Sequence, residues 1–223
     1  MNTSEEEKKL KKKFELPDGK FIKRCYEFSE ARAEASGNTI TGHAAVYGQV
    51  TSIGGWFNEI IAPGAFDRTD LSDVALFLNH DFYKIPLARS RKSIPNSTMR
   101  VAPDEQGLLV DATVDTENNA EAKALVSAVA RKDITGMSFA FLVGDEEWQG
   151  LDTDMPTRTI KSIAKVIEVS AVTYPAYQGT EIDARSDSLD SDRAALDRAR
   201  GAMIDRSKEL EILKIKTMIR SKL

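Results

Sequence analysis

The chain has 223 residues, a formal net charge of −4, 41% hydrophobic and 30% charged residues. That composition supports one sizeable domain with a buried core and excludes wholesale disorder. No apolar run approaches the roughly 18 residues of a membrane helix. The start, MNTSEEEKKLKKKFEL, has no apolar stretch after its basic run, so no secretory signal is expected. A single cysteine, Cys25, excludes an intramolecular disulfide. With only His43 and His80 to join it, no zinc site and no cofactor are expected. The last three residues, Ser221-Lys222-Leu223, spell a peroxisomal tripeptide, but so short a match arises too often by chance to carry weight.

The charge is unevenly spread. Residues 1–24 carry a net +3 and residues 186–223 a net +2, which leaves −9 for residues 25–185. An acidic centre is a poor partner for phosphates, so no specific nucleic-acid binding is expected.

Residues 1–20 read as a mobile, lysine- and glutamate-rich lead-in. From Phe21 short β-type runs alternate with turn signals. Strands are expected over 39–47, 56–61, 74–79, 86–94, 97–101, 107–114, 137–143, 157–163 and 165–173. Pro95-Asn96 reads as a hairpin turn between two of them. One helix interrupts the series. Asn118 or Asn119 can cap AEAKALVSAVARKD, with Ala124, Leu125, Ala128 and Val129 on its apolar face. Strands in hairpin-length succession predict a mainly β fold, an antiparallel barrel or sandwich with a few helices. Residues 186–223 read as a long charged helix with Leu189, Leu196, Met203 and Leu210 seven apart, interrupted by Asp192, Arg206 and Thr217. Such a helix either packs back on the domain or binds a partner.

Three polar residues stand out within the strands. His80 ends the run DVALFLNH, where alternation would put Val74, Leu76, Leu78 and His80 on one face. A histidine at the end of an apolar face suits a general base. Ser138 in GMSFAF faces away from Met137, Phe139 and Phe141, beside the small Ala140. Gly136 before it allows close backbone approach. Glu168 interrupts the apolar strand KVIEVSAVTY and shares a face with Val166, Ser170 and Val172. A buried acid needs a partner, and a histidine is a suitable one. On pattern alone each also has a plain structural reading: a strand-end histidine bond, a strand serine bonded to its neighbour, an edge-strand glutamate in solvent. His43, between small residues, reads as structural.

Together these segments resemble a known family. NHD at 79–81, GMSFAF at 136–141 and IEVSAVTYPAY at 167–177 are similar to the three signatures of tailed-phage prohead proteases, capsid maturation serine proteases related to herpesvirus assemblin. GHAAVYG, FNEIIAPGAFDRT and the helix before the serine resemble that family too, over residues 21–182. The resemblance implies a mostly antiparallel β-barrel of the herpesvirus-protease type with surrounding helices and a C-terminal helical tail. It implies His80 as general base, Ser138 as nucleophile and Glu168 in the third place, with Asp81 a lower-ranked alternative. It also implies cleavage of the scaffold region of the major capsid protein precursor, and of the protease itself, inside assembling proheads in the host bacterial cytoplasm. A homo-oligomer and no membrane association are expected. The herpesvirus enzymes use an arginine soon after the third member, and VTYPAYQGTEID has none, so the oxyanion donors stay open. The expected organisation is a mobile segment 1–20, a protease domain 21–185 and a helical tail 186–223. A non-catalytic capsid assembly protein on the same barrel is the alternative. A metal-dependent hydrolase finds little support, since LDTDMP lacks histidine companions.

Overall fold

The computed structural model describes residues 22–27, 32–33, 37–173 and 187–220. The lead-in 1–20, Tyr174-Pro175 and the terminal tripeptide lie outside them. The described strands, in chain order, are β1 (Ile22–Glu27), β2 (Arg32–Ala33), β3 (Thr39–Val46), β4 (Thr51–Ile53), β5 (Phe57–Ile61), β6 (Asp73–Leu78), β7 (Ala88–Arg91), β8 (Met99–Pro103), β9 (Gly107–Thr113), β10 (Gly136–Gln149) and β11 (Thr157–Val172). Helix α1 (Ala120–Ala130) precedes β10, and α2 (Asp187–Arg220) follows β11.

Seven strands form one sheet and four form a second, ordered β2-β3-β9-β8. The long β11 organises the first. β10 runs antiparallel along one edge, and β1 pairs antiparallel with β10 beyond it. The other edge of β11 is shared: β5 pairs parallel with residues 157–160 and β6 parallel with residues 168–171. The fold is thus mainly β, as the strand pattern predicts. Most pairings are antiparallel, as expected, but the larger sheet is mixed, and among the described residues neither sheet closes on itself into the expected barrel. Two strands delivered in parallel to one edge of β11 make that sheet mixed.

The elements depart from their sequence forecast in physically clear ways. The two strands expected over 157–173 are one continuous strand, because β10 supplies a partner along its length. Pro95-Asn96 does not close a hairpin. β7 pairs with β6 and β8 with β9, so the connection crosses between sheets. Side chains replace the missing ladder there: Thr98 Oγ1 accepts from the Arg89 amide and Ser97 Oγ from the Arg91 amide, at 2.9 and 2.8 Å. In α1, Asn119 is the N-cap, accepting from the amides of Glu121 and Ala122. Its buried face is Ala122, Leu125, Val126 and Val129, so Leu125 and Val129 of the predicted stripe are buried, Ala128 is half-buried and Ala124 is exposed.

One core fills the space between the sheets. Met137, Phe139 and Phe141 of β10, Val74 and Leu76 of β6, and Val169 and Ala171 of β11 meet Ile40, Leu108 and Val110 of the second sheet and the α1 face. Phe139 and Phe141 stack at 4.4 Å. Each such side chain, fully buried, stabilises the fold by roughly 1.5–3 kcal/mol. The β3–β9 pairing approaches so closely at Gly107 that a Cβ there would stand 1.9 Å from the Ala45 carbonyl oxygen. Only glycine fits this approach.

Helix α2 docks by its first turns. Ser191, Asp192, Ala195 and Leu196 are buried, and Leu196 joins Ile53 and Phe57 in a small second cluster flanked by Trp56, Trp148 and Leu151. Arg200 donates to the carbonyls of Leu151 and Thr153. From 201 to 219 every residue is exposed. Leu196 of the predicted heptad stripe is therefore packed while Met203 and Leu210 are not, and Asp192, which reads as an interruption, is the anchor.

Candidate active site

The backbone sets the site before the side chains do. Ser138 of β10 lies opposite Ser170 of β11 on one side and Cys25 of β1 on the other. Ala140 lies opposite Glu168. Directly opposed residues share a face, so Ser138, Ala140, Glu168 and Ser170 line one face of the sheet. Met137, Phe139 and Val169 line the other, which is the core. The predicted alternation around Ser138 holds. Around Glu168 it fails on one side. The register steps from Ala140↔Glu168 to Phe141↔Val166, leaving Ile167 as the extra residue of a bulge. The bulge sends Val166 into the core instead of onto the Glu168 face.

His80 reaches that face by a turn, not by strand alternation. β6 ends at Leu78, and Asn79 and His80 both take left-handed backbone, with φ of 52° and 57°. Continued alternation would have aimed His80 toward the core with Leu76. The left-handed pair redirects its ring onto Glu168. Asparagine tolerates this conformation well, and its side chain fastens the turn: Asn79 Oδ1 accepts from the Thr173 amide at 2.9 Å. The Asn79 amide in turn donates to the Ala171 carbonyl.

The result is a short, buried pair. His80 Nδ1 lies 2.6 Å from Glu168 Oε1. The Glu168 side chain is 1% exposed and that of His80 10%. A carboxylate accepts only, so Nδ1 carries the proton and the ring presents Nε2 as its basic nitrogen. The second carboxylate oxygen, Oε2, accepts from Ser170 Oγ at 2.6 Å, and Ser170 Oγ accepts from the His80 amide at 3.2 Å. Asp81 is directed elsewhere: its Oδ1 accepts from the Tyr83 amide. Ser138 is fully buried, and its hydroxyl donates to the Arg24 carbonyl at 3.0 Å. The structure thus joins His80 to Glu168 directly and sets Ser138 one strand away, opposite Ser170.

Behind β1 lies a buried charge cluster that the sequence did not reveal. The Arg24 guanidinium donates to Glu59 and to Asp192, at 2.8 Å to Glu59 Oε2 and 2.9 Å to Asp192 Oδ1. Arg158 bonds Glu59 at 3.1 Å and also Glu146. Burial opposes the charge on Arg24, but Glu59 and Asp192 outweigh it and hold the guanidinium above its ordinary range. His43 has the structural role its setting suggests, with Nε2 2.8 Å from Asp104 Oδ2. Among the described residues no trio of His, Cys, Asp or Glu is grouped to hold a metal ion. No described helix is long and apolar enough to cross a membrane.

The described residues thus hold a histidine–carboxylate pair, with Glu168 on the strand beside Ser138 and His80 in the turn after β6, on a mainly β scaffold. The chain belongs to the caudovirus prohead serine protease family, whose model matches residues 10–194. Among curated proteins and among solved structures nothing matches the chain.

Proposed function

We propose that this chain is a capsid maturation endopeptidase that cuts the scaffold region of the major capsid protein precursor, and itself, inside assembling proheads in the host bacterial cytoplasm. Glu168 orients His80 and stabilises the imidazolium that forms. The Ser138 hydroxyl turns from the Arg24 carbonyl to His80 Nε2, gives up its proton there and attacks the peptide carbonyl carbon. Main-chain amides receive the oxyanion. His80 then passes the proton to the leaving amine, and water repeats the sequence on the acyl-enzyme. The observation that carries this reading is the 2.6 Å contact between His80 Nδ1 and Glu168, on the strand next to Ser138, in a chain of this family.

The test is incubation of purified protein with its capsid precursor, read by intact mass. Wild type should release discrete fragments of the precursor and trim itself, and Ser138→Ala should do neither. A second reading, a non-catalytic assembly protein, draws on the complete burial of Ser138. A wild-type protein that leaves the precursor whole decides for that reading, and a Ser138→Ala variant that cuts it equally fast removes Ser138 from the mechanism.

A further inference from the structure

Ser170 lies at the junction of the pair and is not part of the triad. It is fully buried, two residues beyond Glu168 on the same face of β11. Its hydroxyl makes two bonds in a fixed direction. It donates to Glu168 Oε2 at 2.6 Å and accepts from the His80 amide at 3.2 Å. A hydroxyl has one proton to give and lone pairs to receive, so the two bonds do not compete.

Each bond meets a specific need. Glu168 is a buried carboxylate, and both of its oxygens need donors. His80 Nδ1–H serves Oε1, and Ser170 serves Oε2. Two donors on opposite oxygens stop the carboxyl group from rotating. At the other end, His80 sits in left-handed backbone, where a non-glycine residue is held only by its surroundings. The bond from its amide to Ser170 fixes that backbone to β11. One hydroxyl therefore ties the carboxylate and the histidine main chain to a single point on the most extensively paired strand of the sheet.

We propose that Ser170 is a positioning residue for the His80–Glu168 pair, setting the angle of the Glu168 carboxyl group and the backbone of His80. It touches neither substrate nor the reacting atoms. The proposal rests on the endopeptidase reading only for its kinetic arm.

The experiment compares full-length wild type, Ser170→Ala and Ser170→Thr in two measurements. The first is precursor or peptide cleavage with kcat and KM separated. Ser170→Ala should lower kcat roughly ten- to hundredfold, the weight of one hydrogen bond to a charged group, with KM little changed. Ser170→Thr, which keeps the hydroxyl, should recover most of that loss. The second is the downfield proton resonance of His80 Nδ1–H, read in Ser138→Ala backgrounds so that the protein stays intact. It should be sharp with Ser170 or Thr and shifted or broadened with Ala. If Ser170→Ala does not fold, Ser170→Cys, similar in size with a weak donor, takes its place. Unchanged kcat, or an unchanged resonance in the Ala variant, overturns the proposal. A wild type that cleaves nothing sinks the endopeptidase reading, and the resonance still decides the role of Ser170.

Discussion

Ser138 gives its hydroxyl hydrogen bond to the main-chain carbonyl of Arg24, 3.0 Å away and 114 residues earlier in the chain. The side chain of that same arginine points into the charge cluster closed by Asp192 of α2. β1 therefore connects the serine to the docking of the C-terminal helix. No long-range mechanism is needed for this: one residue uses its carbonyl on one side and its guanidinium on the other.

The proposed histidine and carboxylate should both prove essential to the rate. His80→Ala removes the proposed base and should reduce cleavage by several orders of magnitude, leaving the roughly 10³–10⁴-fold over water that binding and oxyanion contacts supply. Glu168→Gln keeps the shape but replaces one carboxylate oxygen with an NH2 donor, so it keeps only one of the two acceptor bonds, to the ring or to Ser170, and loses the charge that stabilises the imidazolium. It should lose most of the rate while circular dichroism stays native. Full activity in Glu168→Gln would remove Glu168 from the mechanism.

Asp192 should behave as a structural residue of the first order. It is 1% exposed and bonds Arg24, with Arg158 3.5 Å away. Asp192→Ala leaves buried guanidinium charge short of a partner, which costs about 3–5 kcal/mol. Urea unfolding should show that loss, and cleavage should fall with it as β1 loosens beside Ser138. A loss below about 1 kcal/mol would mean the cluster behaves like an exposed ion pair.

Truncation should divide α2 in two. Residues 201–219 are exposed, including Leu210, Leu213 and Ile215. Ending the chain after Arg200 should leave the unfolding midpoint within error of wild type. Ending it before Asp187 removes Asp192 and Leu196 and should lower the midpoint strongly. Equal midpoints for the two truncations would contradict the docking seen here.

Stability should have an acid limb set by surface carboxylates. The hydroxyl and amide of Ser72, with the Lys165 ammonium, hold Asp70 well below the usual carboxylate range. Arg89 lowers Asp73. Burial pushes Asp104 up, but His43 and the amides of Gly107 and Gln106 outweigh it and lower it. A depressed folded value adds stability that is complete above the unfolded value, about 3.9, and is lost as pH falls through the folded one. The thermal midpoint should thus hold from neutral pH to about pH 4.5 and drop below it. Asp70→Asn should flatten the drop, and high salt should shrink it because these groups are partly exposed. A drop already complete at pH 5 would assign it to other groups.

The sequence by itself determined the mainly β character, the capped helix α1, the long terminal helix and the three polar residues that break apolar strands. Those features are local: alternation, capping and the cost of a lone acid in a strand are visible within a few residues. Ser170 was legible as a face-mate of Glu168, since that needs only a period of two. What only the tertiary structure decided depended on partners far along the chain. Parallel delivery of β5 and β6 to one edge of β11 makes the larger sheet mixed, and among the described residues the expected barrel does not close. The left-handed turn at Asn79 and His80 needs Thr173 and Ala171 to hold it, so alternation alone aimed His80 to the wrong face. Arg24, Glu59, Arg158 and Asp192 look like ordinary surface charges in sequence. They are buried because each finds opposite charge on another element, a pairing that no local pattern encodes.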